Sequence, residues 1–142
     1  MSDLDELYQS IILDHNKRPR HYGALTAATH QAEGYNPLCG DKVQVYLKIA
    51  DNSIEAIQFE SASCAICKAS ASMMVQALAG EPLGQIDALQ SEVREFLEGV
   101  SEVSVEKSEL AALQGVRNFP ARIKCAKLPW DTLAHAIESG SR

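Results

Sequence analysis

The feature that most constrains this fold is a change of hydrophobic period near Cys64. From Val43 to Phe59, apolar residues alternate with polar ones, which is the pattern of half-buried strands. From Ile66 to Leu78, apolar and small residues recur at helical spacing instead. This switch predicts a short antiparallel sheet followed by a helix, with Cys64 at the helix N-terminus.

The other segments predict one more strand and further helices, and so an α+β fold. A strand is expected over residues 28–35, and Asp51-Asn52-Ser53 predicts a hairpin turn between the two alternating strands. Ser61 and Ser63 are candidate N-caps for the helix that follows. Helical spacing and helix punctuation predict helices over residues 3–16, 65–79, 84–97 and 109–113, and after Pro120.

Length and composition indicate one domain spanning residues 1–142. Hydrophobic residues make up 46% of the chain and charged residues 23%, as in globular proteins. No apolar run approaches the ~20 residues that span a bilayer, and the acidic start lacks the form of a signal peptide. We therefore expect a cytoplasmic protein with no membrane partner. Its cysteines should stay reduced there and serve metal or sulfur chemistry.

The net charge of −6 argues against nucleic acid as a partner and is unevenly distributed. Between Glu81 and Glu109 lie eight acidic residues and only two basic ones. A solvated helix face explains this segment better than a special surface does. Basic residues instead crowd around the last cysteine, at Arg117, Arg122, Lys124 and Lys127.

Two candidate metal ligands come from one turn. Cys39 and Asp41 flank Gly40, and Pro37 precedes them, so an exposed loop is expected. A glycine between the two donors lets the backbone bend until both side chains converge. This turn predicts a sulfur and an oxygen donor that act together.

Two further thiols lie far from this turn in sequence. Cys64 is expected at a helix N-terminus, whose partial positive charge favours a thiolate. Cys125 follows Arg122 and Lys124, and we expect these cations to lower its pKa and to stabilise a released thiolate. Three sulfur donors and one oxygen donor suit a tetrahedral Zn²⁺ or a small iron–sulfur cluster.

Cys67 and the histidines are less informative. Cys67 lies one helical turn after Cys64, and the sequence leaves open whether it packs in the core or acts as a ligand. The four histidines are expected to be surface or hydrogen-bonded residues, since none has metal-ligand spacing with another donor. The chain has no motif of hydrolases, P-loop NTPases or dinucleotide-binding enzymes.

These motifs resemble those of the IscU/NifU N-terminal superfamily of iron–sulfur cluster assembly proteins. The triplet Cys39-Gly40-Asp41, the cysteine before the helix at 65–79 and the segment from Arg122 to Cys125 carry the resemblance, which spans nearly the whole chain. More narrowly, the chain resembles the SufU branch. The marks of that branch are Leu7-Tyr8, Ile11-Ile12, His15, Pro19, the stretch from Cys64 to Met74, Gly115-Val116-Arg117, and the stretch from Phe119 to Ala126.

The resemblance implies a three-stranded antiparallel sheet with helices packed on one face and a metal site at one end. It also implies Zn²⁺ held by Cys39, Asp41, Cys64 and Cys125. SufU-like proteins are similar in acting as zinc-dependent sulfurtransferases beside a PLP-dependent cysteine desulfurase of the SufS type, upstream of cluster scaffolds or acceptor proteins. Cys39 is then the expected sulfur acceptor, because it lies on a loop that can leave the metal without breaking a helix.

Two positions depart from the family pattern. IscU scaffolds usually carry histidine before the last cysteine, where this chain has Lys124, and this favours sulfur transfer over cluster holding. SufU-like chains usually carry serine where this chain has Cys67, and this difference leaves open a fourth sulfur ligand or a resolving thiol. Two alternatives to sulfur transfer stay open: a scaffold for a [2Fe–2S] cluster, and a structural zinc module whose acidic helix binds a partner.

Overall fold

The computed structural model describes residues 3–98 and 109–139, and its centre is a three-stranded antiparallel sheet. The strands β1 (His30–Asn36), β2 (Asp41–Ala50) and β3 (Ser53–Ala62) lie in the order β1-β2-β3. Val45 of β2 pairs with Phe59 of β3, and both side chains are buried, as the alternating pattern predicts. The sequence placed the first strand slightly early, at 28–35. The predicted α+β fold with a three-stranded antiparallel sheet is confirmed.

A tight hairpin turn closes one end of this sheet. Asp51 and Asn52 have φ angles of 52° and 62°, which are the left-handed conformations of a type I′ turn. Aspartate and asparagine adopt these conformations more readily than most residues. The Asn52 carbonyl accepts a hydrogen bond from the Leu83 N–H at 2.9 Å. The turn therefore also anchors the start of the helix that begins at Leu83.

Two helices pack against the sheet and against each other, α2 (Ala65–Leu78) and α4 (Pro120–Ser139). Trp130 of α4 is fully buried, and its Nε1–H donates to Ser70 Oγ of α2 at 3.1 Å. The Ser70 hydroxyl donates in turn to the Ala126 carbonyl at 2.6 Å. These bonds pair buried polar groups and fix the two helices relative to each other.

β1 lies so close to α4 that a side chain at Gly34 does not fit. A Cβ at this position would overlap Thr132 Oγ1 and lie 3.2 Å from the Leu128 side chain. The missing side chain allows the strand that leads to Cys39 to lie directly against the helix that carries Cys125.

α1 (Asp3–Lys17) is joined to α2 by a group that we name the α1–α2 polar cluster: Asp14, His15, Arg20 and Ser72. His15 is fully buried, and its Nδ1 lies 2.7 Å from Ser72 Oγ. The backbone N–H of Arg20 donates to the same oxygen at 2.9 Å, and its guanidinium donates to Asp14 Oδ2 at 2.6 Å. The hydrogen bond from Arg20 holds the pKa of Asp14 below its usual value. His15 is thus a hydrogen-bonded histidine, as the sequence predicts.

Two more helices complete the part of the chain that the structure describes. α3 (Leu83–Leu97) matches the acidic helix expected at 84–97, and the short helix expected at 109–113 is a longer 3₁₀ helix (Glu109–Asn118). Acidic side chains of α3 such as Asp87 and Glu95 are exposed, which agrees with a solvated face. Glu102 and Glu106, which belong to the same acidic segment, lie outside the described residues.

Within residues 3–98 and 109–139, no helix is both long enough and apolar enough to cross a membrane.

Candidate metal centre

Three side chains that could hold a metal ion meet at the end of the sheet opposite the hairpin turn. Donor atoms of Cys39, Asp41 and Cys125 all lie within 4.8 Å of one another. The Cys39 thiol donates to Asp41 Oδ2 at 3.0 Å, and its sulfur lies 3.6 Å from the Cys125 sulfur. The fold thus brings a cysteine from α4 onto a turn that lies 86 residues earlier in the chain.

The turn between β1 and β2 sets the positions of the first two donors. Gly40 has a φ of 75°, and its N–H donates to the Asn36 carbonyl at 2.8 Å. A φ of this sign favours glycine, because a Cβ would clash with the backbone. Cys39 remains exposed, whereas Asp41 is only 2% exposed at the first position of β2. The convergence of the two donors that the sequence predicts is therefore present.

Cys64 lies beside this group and is linked to it through Asp41. Asp41 Oδ1 accepts the Cys64 backbone N–H at 2.8 Å, and Asp41 Oδ2 lies 3.5 Å from Cys64 Sγ. The Cys64 sulfur stands outside the set of donors within 4.8 Å of one another. Of the four predicted ligands, the structure brings three together and places the fourth next to their carboxylate.

Cys64 is also the N-cap of α2, so the predicted caps Ser61 and Ser63 are wrong. Its backbone is extended, with φ −69° and ψ 167°, and its sulfur accepts the Cys67 N–H at 3.5 Å. Ser61 still belongs to β3, and the Ser63 hydroxyl donates to the Cys64 carbonyl at 3.4 Å. Neither serine therefore caps the first N–H groups of the helix.

Asp41 is buried, yet its acidity is increased. Burial acts to raise the pKa of Asp41, but hydrogen bonds from the Cys39 thiol, the Cys64 backbone N–H and the Cys125 thiol outweigh it. The pKa of Asp41 therefore lies below its usual value. The carboxylate is held in its charged form, which is the form that binds a cation.

The expected lowering of the Cys125 pKa is wrong. Burial, followed by hydrogen bonds with Asp41 and Cys39, raises the pKa of the Cys125 thiol well above its ordinary value. Cys125 is buried, whereas Arg122 and Lys124 point to solvent. Because neighbours in a helix point in different directions, nearness in sequence does not place their charges on this sulfur.

The basic residues around Cys125 also separate from one another in space. Arg117 lies over the Phe96 ring at 5.2 Å, and Lys127 Nζ lies 3.6 Å from Glu98 Oε1. Arg122 and Lys124 border cavities that flank the site, described below. The basic cluster of the sequence is therefore not one surface.

Cys67 is buried one helical turn behind Cys64. Its side chain is 0% exposed. Burial raises the pKa of Cys67 to about 12, although a hydrogen bond with Ser63 acts in the opposite direction. Cys67 remains a neutral thiol at neutral pH, and its sulfur is not one of the three mutually close donors.

Two apolar depressions flank the site, and the sequence patterns do not signal them. A groove of about 770 Å³ has Cys64 and Arg122 on its wall, and a smaller one of about 300 Å³ contains Cys39 and Lys124. Leu38 lines the smaller depression and is 78% exposed. An apolar residue in a turn has no periodicity that would reveal this role. The remaining apolar walls of the larger groove include Tyr8, Ile12, Ile66, Val116 and Phe119.

The donor set fits a tetrahedral zinc ion. Two thiolates bound to one Zn²⁺ at about 2.3 Å lie about 3.7 Å apart, and the Cys39 and Cys125 sulfurs are 3.6 Å apart. Asp41 adds a charged oxygen donor, and Cys64, whose sulfur lies 3.5 Å from that carboxylate, is the fourth candidate donor. The same sulfurs also suit a small iron–sulfur cluster.

The comparisons with known proteins agree on one family. The family model of the NifU-like N-terminal domain matches residues 7–138. The zinc-dependent sulfurtransferase SufU of Bacillus subtilis is 36% identical over 137 residues, which cover 96% of this chain and 92% of that protein. The iron–sulfur cluster assembly scaffold protein IscU of Streptococcus pyogenes is 37% identical, with 97% and 87% covered.

A solved structure shows the same architecture. The crystal structure of a candidate SUF-system scaffold protein from Fervidobacterium islandicum superimposes with a TM-score of 0.86 at 28% identity. The match covers 93% of this chain and 97% of that one.

Proposed function

This chain belongs to the NifU-like N-terminal domain family, and we propose that it acts in iron–sulfur cluster assembly as a zinc-dependent sulfurtransferase. The observation that carries this proposal is the contrast within the donor set. Cys39 is exposed on a turn, whereas Asp41 and Cys125 beside it are buried. One sulfur is thus accessible to a partner while its neighbours are held by the fold.

The metal would be held by Cys39, Asp41, Cys64 and Cys125. Zn²⁺ bound there would keep the thiols deprotonated at neutral pH and join the three chain segments that carry them. Asp41 contributes a carboxylate that is already charged, and it orients the start of α2 through the Cys64 N–H. The cytoplasm is the compartment we propose, since its thiols stay reduced.

The sulfur donor would be the persulfide of a PLP-dependent cysteine desulfurase of the SufS type. The Cys39 thiolate attacks the outer sulfur of that persulfide, so a bond forms from Cys39 Sγ to this sulfur and the donor S–S bond breaks. The desulfurase cysteine leaves as a thiolate, and Cys39 becomes the persulfide. No net oxidation occurs, and a downstream cluster scaffold or acceptor protein takes the sulfur. Lys124 and Arg122, on the rims of the two depressions, add positive charge near the reacting thiolates.

The decisive experiment is a desulfurase turnover assay with L-cysteine and a SufS-type enzyme, with and without the zinc-loaded protein. We expect the protein to raise alanine formation and Cys39→Ser to abolish the increase. Ser91→Ala, on the exposed face of α3, is the matched control and should stimulate like the wild type. Stimulation that survives Cys39→Ser would contradict the acceptor assignment. A wild-type protein that binds zinc but has no effect on turnover would support a structural zinc module instead.

A [2Fe–2S] scaffold is the second candidate, because the Streptococcus pyogenes relative named a scaffold is as similar as SufU. Metal analysis and a visible spectrum of the protein purified without oxygen separate the two. We expect about one zinc per chain and no absorption between about 400 and 500 nm, since Zn²⁺ has a filled d shell. A brown protein with iron and acid-labile sulfide would favour the scaffold.

A further inference from the structure

Cys64 and Cys67 form a C-x-x-C pair at the N-terminus of α2. Cys64, the N-cap, is partly exposed on the wall of the larger groove, and Cys67 is fully buried one turn inward. The Cys67 N–H points at the Cys64 sulfur at 3.5 Å. An accessible cysteine at a helix N-terminus, followed by a second cysteine three residues later, is the arrangement of dithiol redox motifs.

The positions of these residues allow a disulfide between them. Side chains three residues apart on a helix have Cβ atoms about 5–6 Å apart, and a disulfide needs about 3.5–4.5 Å. Cys64 has extended backbone, with ψ 167°. The remaining gap can therefore close by rotation at this N-cap while the helical residues that follow stay in place.

Asp41 lies between Cys64 and the proposed sulfur acceptor, Cys39. Its Oδ2 lies 3.0 Å from Cys39 Sγ and 3.5 Å from Cys64 Sγ. The donors Cys39, Asp41 and Cys125 also lie within 4.8 Å of one another without Cys64. Once Cys39 has given up its sulfur, Cys64 can thus stay outside this donor set while Cys39, Asp41 and Cys125 remain as three close donors.

We propose that Cys67 is a resolving thiol that releases the transferred sulfur as hydrogen sulfide; this inference rests on the sulfur-transfer function proposed above. The Cys64 thiolate first takes the outer sulfur from the Cys39 persulfide, which returns Cys39 to a thiolate. The Cys67 thiol then passes its proton to the outer sulfur as it attacks Cys64 Sγ, and the bond from Cys64 to the outer sulfur breaks. A Cys64–Cys67 disulfide forms, and the outer sulfur leaves with the Cys67 proton as H₂S. Two thiol sulfurs are oxidised, the outer sulfur is reduced, and an external dithiol later restores the pair.

The test loads the zinc-bound protein with glutathione persulfide in the absence of other reductants. Released sulfide is measured, and the cysteines are mapped by mass spectrometry. We expect about one sulfide per wild-type chain, with a Cys64–Cys67 disulfide as the matching product. Cys67→Ser should acquire the Cys39 persulfide as the wild type does and release sulfide at least about tenfold more slowly, because the resolving thiol is missing.

The control variant is Ala71→Ser, which buries a hydroxyl in the same helix and should release sulfide at the wild-type rate. Equal release by Cys67→Ser would overturn the proposal, and so would a disulfide between Cys39 and Cys125 in place of Cys64–Cys67. Failure of the wild type to take up persulfide at Cys39 contradicts the proposed function instead. The Cys64–Cys67 pair is then tested directly in buffers with different ratios of reduced to oxidised glutathione. If no Cys64–Cys67 disulfide forms at any ratio, the proposal is also overturned.

Discussion

Two clusters of polar side chains join distant parts of this chain, and their composition differs. In the α1–α2 polar cluster, an imidazole, a hydroxyl, a guanidinium and a carboxylate form complementary hydrogen bonds. In the candidate metal centre, thiols surround a carboxylate, so every side chain is an acid or its conjugate base. Complementary groups stabilise each other in the fold, whereas a set of acids becomes stable when it binds a cation. The first cluster should therefore govern stability and the second metal binding.

The largest expected effect comes from His15→Ala in the α1–α2 polar cluster. It removes a buried ring and leaves Ser72 without that partner, so we expect the free energy of unfolding to fall by about 2–4 kcal/mol. Urea unfolding of the zinc-loaded protein measures this change. Zinc affinity should stay within about twofold of the wild type, because the ring contacts α2 at Ser72, two helical turns beyond Cys64. Ser10→Ala, on the exposed side of α1, is the control. If the free energy of zinc binding fell by as much as the free energy of unfolding, the two clusters would not be separate.

Asp41→Asn should lower zinc affinity strongly and the free energy of unfolding only slightly, which is the reverse of His15→Ala. The amide oxygen can still accept the Cys64 N–H, but the charged oxygen donor is lost. We therefore expect zinc affinity to fall by about tenfold to a hundredfold. The free energy of unfolding at saturating zinc should change by less than about 1 kcal/mol beyond the lost binding energy. Competition with a chromophoric chelator measures the affinity. Unchanged affinity would exclude Asp41 as a ligand.

Asp14→Asn should have the smallest effect and depend on pH. The pKa of Asp14 is lowered in the folded protein by Arg20, so its contribution to stability is present above the unfolded pKa of about 3.9 and is lost as pH falls through the folded pKa. We expect the melting temperature of the variant to lie slightly below that of the wild type at neutral pH and to meet it in acid. Calorimetry at several pH values checks this. A constant difference at all pH values would mean that the charge is not responsible.

Much of the fold could be predicted from periodicity, because the alternating strands and the amphipathic helices bury one face each. The turn at Cys39-Gly40-Asp41 was also predictable, since glycine and the short spacing act locally. The environment of Cys125 was not, because it depends on how α4 is rotated about its axis. That rotation is set by packing partners such as Trp130 and Ser70, which no local pattern reveals.

The N-cap of α2 shows a second limit of the sequence. Serine is a better capping residue than cysteine in general, so Ser61 and Ser63 were the natural candidates. The observed cap depends on where β3 ends, and the pairing of Lys42 with Ala62 extends the strand to that point. Tertiary pairing thus overrides the local preference and places a cysteine at the helix start.

The absence of a side chain at Gly34 has a consequence for the dimensions of the site. Gly34 lies shortly before Cys39, and Thr132, against which it rests, lies two helical turns after Cys125. A substituent at position 34 would overlap Thr132 Oγ1, so the threonine side chain or the strand itself would have to move. The close approach of the Cys39 strand to the Cys125 helix therefore depends on a hydrogen atom where other residues carry a Cβ.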